Sequence, residues 1–151
     1  MESDLILPLV MRWIHMLSAL TMVGGSVFLW LVYLPISSRI LSEEERSRLY
    51  EPLLRRWKLL AHPTIILFLV SGFYTYIAVT RFQHEGQAIY HMAFGLKFLA
   101  AMVVFALLIV LTSTMKWSVK LREHQGLWWA FMASIAVVVL LAGFMRMLPG
   151  P

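Results

Sequence analysis

The sequence predicts an all-α integral membrane protein, an up-and-down bundle of four spanning helices forming a single domain over 1–151. Three observations predict it. Of the 151 residues, 60% are hydrophobic and 14% charged, whereas soluble domains carry about a quarter charged residues, and mean hydropathy is +0.77. Four apolar stretches recur, at about 9–35, 59–80, 88–115 and 126–147, each long enough for a hydrocarbon core that takes about 20 helical residues to cross. Basic residues alternate between the connections. The 36–58 and 116–125 connections together hold nine Lys and Arg, while the other side has Arg12, Arg81 and Arg146, which places both termini on the non-cytoplasmic side, in a bacterial inner membrane for preference.

The first span carries the residue on which a functional reading turns. From Trp13 to Ser38 no residue is charged, and His15 stands inside that stretch. An ionisable side chain within a span is costly unless it faces a protein interior, a partner or a cofactor. A membrane histidine also serves simply to hydrogen-bond a neighbouring helix, and both roles stay open at this point. Arg12, three positions earlier, shares a helix face with His15. It suits an acidic group near the outer surface, or the snorkelling of an interfacial arginine. The opening MESDLIL has two acids and no basic cluster, so a cleaved signal peptide is not expected.

In the helical 36–58 connection, Ser42 followed by Glu45 predicts a capping box that opens a short helix. Pro52 suits the first turn of the next helix. That helix continues into the second span, where Pro63 predicts a bend near His62. The third span contains one charge, Lys97, with Gly95, Ala100 and Ala101 as small residues for close packing. Span four opens on Trp128 and Trp129, an expected interface anchor, and carries Ala133, Ser134, Ala136 and Gly143.

Composition removes several functions. With no cysteine, disulfides, thiolate metal sites, iron–sulfur clusters and covalent haem attachment are excluded. The net charge of +5 follows the membrane topology, so it argues for no nucleic acid partner. Five histidines and ten methionines remain as metal donors. Thioethers suit Cu(I), but methionine also fills apolar helix surfaces, and these form no tight repeated pair.

A rise of about 1.5 Å per residue converts position into depth. His15 then lies about 27 Å from the cytoplasmic end of its span and Lys97 at nearly the same level, with His91 roughly 9 Å farther out. His62 is close to the opposite boundary. A haem held by two axial donors therefore pairs His15 with His91 after modest tilt, or with Lys97 as a neutral amine. His91 is preferred, because imidazole is neutral at physiological pH without assistance. Lys97 then approaches a propionate or lines a substrate pocket.

These features resemble the superfamily that includes HemJ-type protoporphyrinogen oxidases and the CopD copper-resistance membrane domain. The resemblance rests on the first-span His15 followed by Gly24-Gly25 and Leu34-Pro35, on His62-Pro63 with a later Gly72, and on Lys97 in GLKFLAAMVVFALL. It covers most of the chain. It implies that His15 and Lys97 form the functional pair, with the histidine associated with b-type haem. The chain departs from the pattern at Gly95, where the family usually has a histidine, and at His62, where it has a threonine-like residue.

The leading expectation is a haem b protein in the outer half of the bundle, with Arg12, His15, His91 and Lys97 at the cofactor and His15 and His91 on the iron. It exchanges electrons with a quinone, a partner protein or a small oxidant. HemJ-like protoporphyrinogen oxidation, with a porphyrin as substrate, and CopD-like copper transport are the alternatives, so whether the chain is an enzyme stays open. Membrane lipid is the one implied partner, and a homo-oligomer is left open.

Overall fold

The computed structural model describes residues 3–113, 121 and 124–148, which form four long helices and, among the described residues, no strand. Helix α1 spans 3–40 and α2 spans 43–83; α3 is Ala88–Thr112 and α4 is Gln125–Met147. All four are long and apolar enough to cross a membrane. Large apolar side chains point outward on each, with Leu20 70%, Ile66 62%, Met92 74% and Leu140 72% exposed. So much exposed apolar surface is untenable in water but is what lipid requires. The protein is an integral membrane protein. The expected end of span three at 115, together with Lys116, Lys120 and Arg122, lies outside the described residues.

Helix α1 ends where Leu41 turns extended (φ −101°, ψ 142°). The chain re-enters helix at once, because Ser42 caps α2 by accepting from the Glu45 amide at 3.3 Å while the Ser42 amide donates to the Glu45 carboxylate at 2.9 Å. The Ser42 hydroxyl, which also donates to the Glu45 carboxylate at 2.7 Å, and then the Ser42 amide lower the Glu45 carboxyl from its ordinary value. The predicted short helix followed by a second one is instead a single helix. Pro52 and Pro63 both lie inside the unbroken stretch Glu43–Thr75. A proline removes one backbone donor, and at Pro52 the loss falls beside a full cap and the Glu43–Arg46 and Glu44–Arg48 ion pairs.

Two π-helical turns, Leu29–Tyr33 in α1 and Tyr76–Thr80 in α2, interrupt otherwise α-helical rods. Each inserts a residue into the helical repeat and so rotates the side chains that follow. In α2 the widened turn is closed by the Thr80 hydroxyl, which donates to the Thr75 carbonyl at 3.0 Å.

Helix α1 packs along α2 and α3 along α4, with a shorter contact between α2 and α3. The two pairs close on each other in the half of the bundle nearest the 41–42 connection. There Met22, Ala61, Ile65, Phe105, Leu108, Leu111 and Phe131 form the main core. Gly25 permits the closest approach, since a Cβ at that position would overlap the Trp57 indole. Trp128, expected at the interface, is buried at 6% exposure and stacks on Trp30 with ring centroids 6.4 Å apart; Trp129 beside it is 63% exposed. Toward the termini α2 and α3 stay joined by ring contacts, Phe73 with Phe98 and Tyr76 with Phe94, and among the described residues a small cluster of Tyr90, Ala93 and Met145 joins α3 to α4. A cavity lined by all four helices opens at this end.

Candidate cofactor site

The cavity measures about 1050 Å³, at the upper end of the roughly 300–1,000 Å³ usual for small-molecule and cofactor sites. All four helices line it. Phe68, Phe73, Phe94 and Phe98 give it aromatic walls, and Arg12, His15, Lys97 and Arg146 supply nitrogen donors from three different helices. Among the described residues, no Asp or Glu lines it.

His15 is the most tightly positioned of these groups. Its ring stacks on Phe68 of α2, with centroids 3.9 Å apart. On the same helix Gly72 leaves room for it, since a Cβ there would lie 2.9 Å from the His15 Cε1. His15 Nδ1 is 3.1 Å from the Phe68 carbonyl oxygen. A carbonyl oxygen only accepts, so the proton sits on Nδ1 and Nε2 keeps its lone pair. Ser71 agrees with that tautomer: its hydroxyl donates to the Leu67 carbonyl at 2.6 Å and lies 3.3 Å from His15 Nδ1, so it too accepts from the ring. An imidazole whose Nδ1–H is fixed by a backbone carbonyl is the usual state of a metal-binding histidine.

The remaining candidates divide. Arg12 and Lys97 line the cavity with His15. His91 is not among the lining residues, and its Nδ1 shares a 2.9 Å hydrogen bond with the Tyr76 hydroxyl. Tyr76 itself lines the cavity and stacks on Phe94 at 3.6 Å, so His91 touches the site through that phenol. His62 is remote, its Nδ1 donating to the Lys58 carbonyl of its own helix at 2.9 Å.

No known protein family, curated protein or solved structure matches this chain.

The site is therefore judged on its own chemistry. Among the described residues no three His, Cys, Asp or Glu side chains converge as a bare metal ion would require. A macrocycle that brings its own equatorial nitrogens needs only one or two axial donors, an apolar slot and cations for its acidic edge. His15, the phenylalanine walls and the two arginines fit haem in each respect. Four titratable lining residues were not foreseen from sequence: Tyr76, His84, Tyr90 and Arg146. Arg146 was legible as a cation at the end of span four. The tyrosines gave no signal, because the π turn that carries Tyr76 has no sequence signature here.

Proposed function

We propose that this chain is an integral membrane protein that binds haem b in the cavity between its two helix pairs and uses it for electron transfer. The observation that carries the proposal is His15, whose Nδ1 is committed to the Phe68 carbonyl while the ring lines a cavity with phenylalanine walls and, among the described residues, no carboxylate. When bound, haem supplies one-electron iron chemistry. The chain's own contribution is positional. Phe68, Ser71 and Gly72 hold the His15 ring and its tautomer, the phenylalanines exclude water, and Arg12 offers a charge partner for a carboxylate. Lys97 shares the cavity with His15, whereas His91 meets it through Tyr76 and Tyr90, so Lys97, as the neutral amine, would be the second residue to hold the iron.

On this proposal the cavity end of the bundle faces away from the cytoplasm, supported by the nine basic residues of the two opposite connections. Such a site is open to a quinone or redox partner on that side. The optical spectrum of purified protein, oxidised and reduced, tests the proposal. A red protein with sharp reduced bands is expected, and colourless protein from haem-replete cells contradicts it.

The pairing of His15 with Lys97 in one cavity also favours a second reading, HemJ-like protoporphyrinogen oxidation. Complementation of a strain lacking protoporphyrinogen oxidase separates the two: growth supports the enzyme, and failure by a haem-loaded protein supports electron transfer alone.

A further inference from the structure

We infer that Arg12 and Arg146, on the two helices that carry the chain's ends, form a two-guanidinium clamp selecting a ligand with two carboxylates on one edge of an apolar body. The clamp rests on the haem reading for the identity of that ligand and adds Arg146 to it as a specificity-determining residue.

Both arginines line the cavity, and among the described residues no acidic one does. The ion pairs formed among the described residues are Glu43–Arg46 and Glu44–Arg48, at the far end of the molecule, so neither Arg12 nor Arg146 has its charge matched by a described carboxylate. Their placement follows from helical spacing. Arg12 lies three residues, about 4.5 Å, toward the terminus from His15 on the same face. Arg146 closes α4, whose preceding turns present Val139, Ala142 and Gly143 to the cavity. A Cβ at Gly143 would meet nothing within 4 Å, so α4 leaves open space at the cavity one turn before Arg146. An arginine in the last turn of a helix is favoured by the helix dipole wherever it occurs, but the dipole does not require it to line a cavity that a second arginine also lines. A guanidinium pairs with a carboxylate through two parallel N–H···O bonds. Two guanidinia reached from α1 and α4 therefore match two carboxylates on one ligand and would tie α1 to α4 across the cavity.

The test is equilibrium titration of the haem-free full chain in detergent with haem and with haem dimethyl ester, which has the same ring and iron but no free carboxylate. Wild-type protein is expected to bind haem at least about 10-fold more tightly than the ester. Arg12→Gln and Arg146→Gln each lower haem affinity by about 10-fold and leave ester affinity unchanged, so the ester also reports that each variant is folded. Arg146→Lys, which keeps the charge but not the fork, lies between wild type and Arg146→Gln. Equal wild-type affinity for haem and ester overturns the clamp, as does an Arg146→Gln variant that binds haem like wild type or loses both ligands equally. In those cases a spectrum that still depends on His15 leaves the haem reading standing. Haem that fails to bind, or binds identically to His15→Ala, removes that reading and the clamp with it.

Discussion

Replacing Gly72 with alanine puts a methyl group into the space occupied by the His15 ring. The new Cβ would lie 2.9 Å from Cε1 and 3.2 Å from Nδ1, against about 3.5–4.0 Å for relaxed contact between carbon atoms. The imidazole must therefore retreat by roughly 0.5–1 Å. It cannot retreat freely, because its face rests on Phe68 at a centroid distance of 3.9 Å. The displacement falls on the 3.1 Å bond from Nδ1 to the Phe68 carbonyl. Loss of such a bond costs about 0.5–1.5 kcal/mol, and disturbing the group that orients a metal-binding histidine typically costs about 10–100-fold in affinity. Gly72→Ala is expected to lower haem affinity within that range while the protein still folds, measured by haem titration of the apo protein beside Gly95→Ala, where a Cβ meets nothing within 4 Å. Equal affinity in Gly72→Ala, Gly95→Ala and wild type would refute the claim that Gly72 positions His15.

Three further outcomes follow from other parts of the molecule. Gly25→Ala overlaps the Trp57 indole and is expected to cost about 1–3 kcal/mol by overpacking, seen as a lower unfolding midpoint in detergent with the haem spectrum unchanged; an unaltered midpoint contradicts the close packing of α1 on α2. Lys97→Ala is expected to convert a low-spin haem spectrum to high-spin, while His91→Ala leaves it low-spin with a small shift transmitted through Tyr76; the reverse pattern transfers the axial role to His91. Topology reporters fused to the C-terminus and within 36–58 are expected to signal from opposite sides, the loop from the cytoplasm, and a cytoplasmic C-terminus overturns the orientation.

The four helices were legible because lipid imposes a simple demand, long apolar stretches broken by charge, and those breaks fall close to 41–42 and 84–87. Ser42 and Glu45 were legible for the same local reason, a capping box being written in four residues. Positions set by tertiary packing were not legible. Trp128 reads as an interface anchor by type, yet its place on the helix turns it toward Trp30, and only the crossing of α1 and α4 decides that. Depth arithmetic placed His15 and Lys97 at one level and both line the cavity, but it is blind to rotation about the helix axis. His91 shows the consequence, since its ring is engaged by Tyr76 beside the cavity. Gly72 was noticed as a sequence marker, and its reason, space for an imidazole, exists only once α1 meets α2.

The central claim is that His15 holds a haem. The most direct measurement is haem per protein, by pyridine haemochrome assay, in wild type and His15→Ala purified from the same haem-replete host. A stoichiometric complement is expected in wild type and near-complete loss in His15→Ala, with the variant still eluting as a folded species. Equal haem content and identical reduced spectra in the two proteins would contradict it.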